Sequence, residues 1–145
     1  MKIKISTKVE QNIEQVWNQF DVNLLKKLSP PFPPVKVLHY IGHQIGEKVS
    51  FELNFFIFKQ KWESEITDNR IDENERYFID EGRILPFFLK YWKHKHRIVK
   101  SNSGSKIIDE IEFKTPSILT DYIFYPLLYL QFLYRKPIYQ KLFRV

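Results

Sequence analysis

Tyr91-Trp92-Lys93-His94-Lys95-His96-Arg97-Ile98-Val99 and Lys106-Ile107-Ile108-Asp109-Glu110-Ile111-Glu112-Phe113 decide the fold of this chain. The turn Ser101-Asn102-Ser103-Gly104 lies between them. Side chains alternate faces along a strand, so a hairpin across that turn sets Trp92, His94, His96 and Ile98 on one face with Ile107, Asp109, Ile111 and Phe113. His96 then stands opposite Asp109, His94 opposite Ile111 and Trp92 opposite Phe113. A mostly apolar face has received two imidazoles and a carboxylate. That is either a satisfied polar cluster or the floor of a ligand site.

Strands continue on the N-terminal side of this hairpin. Arg76 to Ile84, Lys61 to Asn69, Glu47 to Phe58 and Val35 to Ile41 read as strands, with turns at Gly42–Gly46 and near Lys59-Gln60 and a polar connection over Asn69–Glu75. Phe56 and Phe58 share the parity of Glu52 and Asn54, which leaves that strand apolar on both faces and predicts a helix or second subunit over its outer side. At the N-terminus, Ile3, Ile5, Thr7 and Val9 alternate with Lys2, Lys4, Ser6 and Lys8, the pattern of a half-buried first strand. Ile13, Val16, Trp17 and Phe20 have helical spacing behind Gln11 or Asn12. Val22–Leu28 is a second short helix that Asp21 caps. Four prolines within Pro30–Pro34 end the helical stretch in an extended connector.

After the hairpin, only Ser117–Val145 is long enough for a long helix. Leu127, Leu130, Tyr134, Ile138 and Leu142 predict its buried stripe, with Pro126 at a first turn or kink and Pro137 at a bend. A curved antiparallel sheet of about seven strands therefore has one long helix to cover it, with two short helices closing one end. This is an α+β fold. At 145 residues the chain is expected to be one domain, 1–145.

Composition narrows the function classes. The chain holds 13 Phe, 8 Tyr and 3 Trp against 4 Gly, and it reads as ordered. The net charge of +6 is spread over alternating strand positions and accompanies no recognition motif, so no nucleic acid is expected. There is no cysteine, which excludes disulfides, thiolate metal sites and cysteine nucleophiles. No phosphate-binding glycine loop, dinucleotide fingerprint or nucleophile motif is present, and no cofactor is expected. The N-terminus lacks the apolar run of a signal peptide, and Tyr122–Tyr134 is short for a membrane span. The expectation is a cytoplasmic protein without stable membrane insertion.

The element order, with Pro86-Phe87, Trp92-Lys93-His94-Lys95-His96, Asp109-Glu110, Pro116 and Tyr134-Arg135, resembles the helix-grip fold of the START-like, or SRPBCC, superfamily. That superfamily includes the birch-pollen-allergen-like proteins and the polyketide cyclase/dehydrase group. The resemblance implies a pocket between the sheet and the C-terminal helix that receives a small hydrophobic molecule such as a lipid or polyketide. Fold analogy does not choose among carriers, sensors and enzymes.

Three readings attach to the residues themselves. The first is binding of a small hydrophobic ligand, with Trp62, Trp92, His94, His96, Asp109, Ile111, Phe113 and Tyr134 as its lining. The second is a cyclase, dehydratase or hydrolase in which Asp109 orients His96 as general base. The third is an interaction module with a filled core. Against all three stands simple mutual satisfaction of His96 and Asp109 across two strands. His94-x-His96 with Asp109 offers three zinc ligands, but His39 and His43 fall on a distant strand or turn, and no metal is expected. Tyr122, Phe124, Tyr125, Tyr129, Phe132, Tyr139 and Phe143 exceed what one helix stripe buries. Beside Arg135, Lys136, Lys141 and Arg144 they predict a homodimer contact or, less directly, an anionic membrane surface.

Overall fold

The computed structural model describes residues 1–145. β1 (Lys2–Val9) buries Ile3, Ile5, Thr7 and Val9 and exposes Lys2, Lys4 and Lys8, as its alternation requires. Asn12 and Gln15 form a reciprocal capping box at the start of α1 (Ile13–Asn18), with bonds of 2.9 and 3.0 Å. Asp21 accepts from the Leu24 amide and starts α2 (Val22–Lys27). After the prolines come β2 (Val35–His39), β3 (Lys48–Asn54), β4 (Lys59–Ile71), β5 (Glu75–Ile84), β6 (Tyr91–Ser101) and β7 (Gly104–Lys114). The chain finishes in α3 (Ile118–Leu133) and α4 (Arg135–Leu142).

All seven strands form one antiparallel sheet in the order β1-β7-β6-β5-β4-β3-β2. The β6–β7 register places Trp92 opposite Phe113, His94 opposite Ile111 and His96 opposite Asp109, as parity requires. Gly104 in that turn has φ +144°, and a Cβ there would meet the Val9 carbonyl oxygen at 2.3 Å. Only glycine lets β1 run this close to the turn.

Two elements depart from the sequence reading. The strand expected to reach Phe58 stops at Asn54. Asn54 Oδ1 accepts from the Phe56 amide at 2.8 Å, the Phe55 amide donates to the Phe58 carbonyl at 2.9 Å, and Phe56 sits at φ +69°. A side chain competing for its neighbour's amide makes the turn there and not at Lys59-Gln60. Phe56 and Phe58 therefore occupy a hairpin tip, and the inference of a covered outer face falls away.

The C-terminal helix bends at Tyr134, as Pro137 predicts, with Pro126 inside α3 and not at its first turn; what departs is the face it buries. Pro137 has no N–H to offer the Leu133 carbonyl, so the chain re-starts at Arg135 with Pro137 in the first turn of α4. The predicted stripe is out of phase ahead of that bend, whereas Ile138 and Leu142 beyond it are half-buried against the core. Leu127, Leu130 and Tyr134 are exposed, whereas Leu128, Phe132, Tyr139 and Phe143 are buried.

Packing forms two apolar cores on the concave side. The larger lies where α1, α2 and α4 meet the sheet, around Val16, Phe20, Phe78, Tyr139 and Phe143. The smaller lies under α3, around Ile3, Trp92, Ile111, Phe113, Leu128 and Phe132. The α3 and α4 helices pack along β1 and β7. Acid–base pairs, among them Lys2–Glu112 and Lys4–Glu110, cover the convex face.

Candidate functional site

Between the two cores the concave face turns polar. β5, β6 and β7 supply one side chain after another at matched depth: Asp80 stands opposite His94, Phe78 opposite His96, and His96 opposite Asp109. The side chains then pair along diagonals. His94 Nε2 lies 2.8 Å from Asp109 Oδ1, and His96 Nε2 lies 2.6 Å from Asp80 Oδ2. The expected partnership of His96 with Asp109 is thus exchanged. His94 takes Asp109, because a diagonal neighbour is within reach of a long planar side chain and His96 has a nearer carboxylate on β5. The second imidazole nitrogen of His94, Nδ1, is 3.8 Å from Asp80 Oδ2. The two rings lie 3.5 Å apart between centroids. Asp109, His94, Asp80 and His96 therefore form one continuous chain of polar groups.

Carboxylates only accept when ionised, so each Nε2 carries the donated proton. Burial pushes Asp109 up, but the hydrogen bond and charge of His94 and the charge of Arg135 outweigh it and hold the carboxyl below its ordinary value. Asp80 behaves alike: burial raises it, and His96 through its hydrogen bond, with the charges of both histidines and a bond from Ser64, brings it below the usual range. Burial, reinforced by the neighbouring His96, pushes His94 down to about 4 against the pull of Asp109. His94 is a neutral ring at neutral pH.

Arg135, at the start of α4, reaches the cluster from the helix side. Its guanidinium is 4.0 Å from Asp109 and stacks 4.3 Å above the Phe132 ring. Nearby, the buried Tyr139 hydroxyl faces Arg135 without a well-formed hydrogen bond, and burial, then the Asp109 charge, push its ionisation up against the pull of Arg135.

Exposure grades across the cluster. The side chains of His94 and Asp109 are 4% and 3% exposed, whereas His96 and Asp80 are each 13% exposed. His94 and Asp109 form the sealed half of the cluster; on the β4 side Trp62 donates to Ser64 Oγ at 3.1 Å and stands edge-on to Trp92 at 4.8 Å, and Ser64 is itself buried.

Solved structures match along most of the chain. Protein CV1439 from Chromobacterium violaceum gives a TM-score of 0.66 at 16% identity, over 92% of this chain and 90% of that one. Norcoclaurine synthase from Thalictrum flavum gives 0.62 at 15% identity, over 88% and 82%. Ara h 8.0201 gives 0.54 at 16% identity, over 81% and 79%. The fold is the START-like helix grip. No family model matches the sequence, and no curated protein sequence matches it. At these identities the likeness carries the fold and assigns no residue a role.

Within this helix grip, the residues read from the sequence as a lining divide. Trp62, Trp92, His94, His96 and Asp109 come together at the polar layer. Ile111 and Phe113, 1% and 0% exposed, are packed into the core beneath α3. Tyr134 is 43% exposed, and its neighbour Arg135 turns inward in its place. The space between sheet and α3 is filled by Trp92, Phe113, Leu128 and Phe132. Two shallow surface hollows open elsewhere, one on the convex face between Lys2, Lys95 and Glu112, the other beside Lys8 and Arg144.

Asp80, Arg135 and Tyr139 were missed. Asp80 had a signal: it shares the parity of Phe78, so it is a charge on the apolar face of β5. Asp80, His94 and His96 bring donor atoms within 4.8 Å of one another, a set whose chemistry suits a divalent transition metal. The Nε2 atoms of both rings are nevertheless already committed to carboxylates.

Proposed function

We propose that the protein binds a small, largely apolar molecule and holds its polar end at His96 and Asp80. The observation that carries this reading is the graded cluster. A buried Asp109–His94 couple adjoins an Asp80–His96 couple whose side chains each keep 13% exposure. An acceptor carboxylate and an imidazole at the rim suit a ligand ending in a hydroxyl or amine. Trp62, Trp92 and Phe51 supply the apolar wall. The helix grip of norcoclaurine synthase was solved in complex with dopamine and hydroxybenzaldehyde, small aromatic molecules with polar ends, which supports this ligand class for the fold.

Tryptophan fluorescence tests the reading, since Trp62 and Trp92 adjoin the rim. A panel of apolar molecules with one skeleton and a hydroxyl, amine or methyl end would be titrated in. Hydroxyl or amine ends should bind at least ~10-fold tighter than methyl, and His96→Ala should erase that preference with the fold intact. Equal affinity for all three ends would overturn the anchoring role.

A second reading makes the same rim couple an acid–base pair acting on that ligand. It is favoured by the 2.6 Å bond between His96 and Asp80 at a partly accessible position. Turnover of a bound member of the panel that is abolished in His96→Gln would establish it.

A further inference from the structure

The end of the molecule opposite α1 and α2 carries apolar surface that the sheet does not use. Three separate segments contribute. At the β3–β4 tip, Phe56 is 76% exposed and Ile57 92% exposed, with Phe56 held at φ +69°. On the β5–β6 loop, Phe87 is 58% exposed. On α3, Ile118, Leu119, Tyr122, Ile123, Leu127 and Leu130 are all more than half exposed and recur at helical spacing. Since Leu128 and Phe132 point inward, α3 is apolar on its solvent side as well as its core side.

These segments are one surface. Phe124 on α3 stacks on Phe88 at 5.1 Å, Phe88 meets Phe87 at 5.5 Å, and Phe87 meets Phe58 at 5.7 Å. Phe58 then stacks on Phe55 at 5.1 Å. Cations border it. Lys90 and Lys114 are joined by a 2.8 Å backbone bond at the foot of α3; both are exposed and neither forms a salt bridge, although the charge of Lys114 reaches Asp121. Lys36 is exposed on β2 without a salt bridge, and Lys59, exposed beside the tip, pairs with Glu52 at 3.6 Å.

We propose that this end docks onto an anionic lipid bilayer, with the Phe56-Ile57 tip and the outer face of α3 sunk into the headgroup boundary. At 16 residues, α3 is about 24 Å long. No helix is long and apolar enough to cross a membrane, so the helix lies along the interface. Charge decides for lipid over a second copy of the chain. A two-fold dimer through this face brings together two patches with the same cationic border. Anionic headgroups complement that border. The loop tips also project, as suits insertion between headgroups.

Flotation with lipid vesicles tests this on the full chain without any cargo. Wild-type protein should float with vesicles of 30% phosphatidylglycerol in phosphatidylcholine and remain largely free of pure phosphatidylcholine vesicles. The pair Phe56→Ser/Ile57→Ser and the pair Lys90→Glu/Lys114→Glu should each lower partitioning by ~10-fold or more with unchanged circular dichroism. His96→Ala should float like wild type, so this result and the ligand titration fail separately. Wild-type protein that does not float overturns the proposal. So does a micromolar dimer in sedimentation velocity that Phe56→Ser/Ile57→Ser dissociates, since the patch then belongs to a second copy.

Discussion

The two ends of the sheet use the same residues to opposite effect. At one end Phe20, Phe78, Tyr139 and Phe143 form a stacked core closed by α1, α2 and α4. At the other, Phe32, Phe56, Phe58 and Phe87 contact one another just as closely but stay 42–76% exposed. Ring-to-ring contact is therefore no sign of a core. What separates the ends is a covering element: three helices at one, hairpin tips and the side of one helix at the other.

Stability measurements should break this symmetry. The largest effect is expected at the closed end. Phe143 is 1% exposed and stacked on Tyr139 at 6.0 Å, so Phe143→Ala should cost about 3–5 kcal/mol in urea unfolding. A loss below about 1 kcal/mol would mean that this core repacks freely.

The polar layer between the ends should show next, through pH. The folded-state value of His94 is lowered from 6.5 to about 4. Between those pH values the unfolded chain binds a proton that the folded chain refuses, so stability is complete above 6.5 and falls as pH drops toward 4. The slope approaches about 1.4 kcal/mol per pH unit and totals roughly 3 kcal/mol. Asp80 and Asp109, both lowered, extend the loss in the same direction at more acid pH. In His94→Gln the slope between 6.5 and 4 should flatten; an unchanged slope would move its origin to another group.

Smaller effects sharpen the contrast. Asn12→Ala removes the capping box of α1 at the closed end, and about 1 kcal/mol should be lost in the same urea assay. Ile57→Ser at the open tip should change stability by no more than about 0.5 kcal/mol, because a residue 92% exposed has little burial to lose. A large loss there would show that the tip is packed in solution.

Local rules made most of this fold legible. Parity alone placed the β6–β7 register and hence the Trp92, His94 and His96 face. Asn12 and Asp21 announced both short helices. The sequence reading failed where two local rules competed. Apolar alternation ran on through Phe56, but the Asn54 side chain captured the Phe56 amide and ended the strand. The helical stripe was phased on Leu127 and Leu130, because α3 is apolar on both sides and spacing alone could not choose the face of Leu128 and Phe132 that is buried. At the site, parity could place His94, His96 and Asp109 on one face, but not choose between cross-strand and diagonal partners. That choice belonged to Asp80, which the unbroken β5–β6 register sets opposite His94.

The strand order has a consequence for how the chain is made. β1 hydrogen-bonds only to β7, from Lys2 opposite Glu112 to Val9 opposite Ser105. On a ribosome adding 5–20 residues per second, the first strand waits roughly 5–20 seconds for its only neighbour. During that interval its backbone is an open template, and Lys2, Lys4 and Lys8 supply the mutual repulsion that keeps two nascent chains from zipping together.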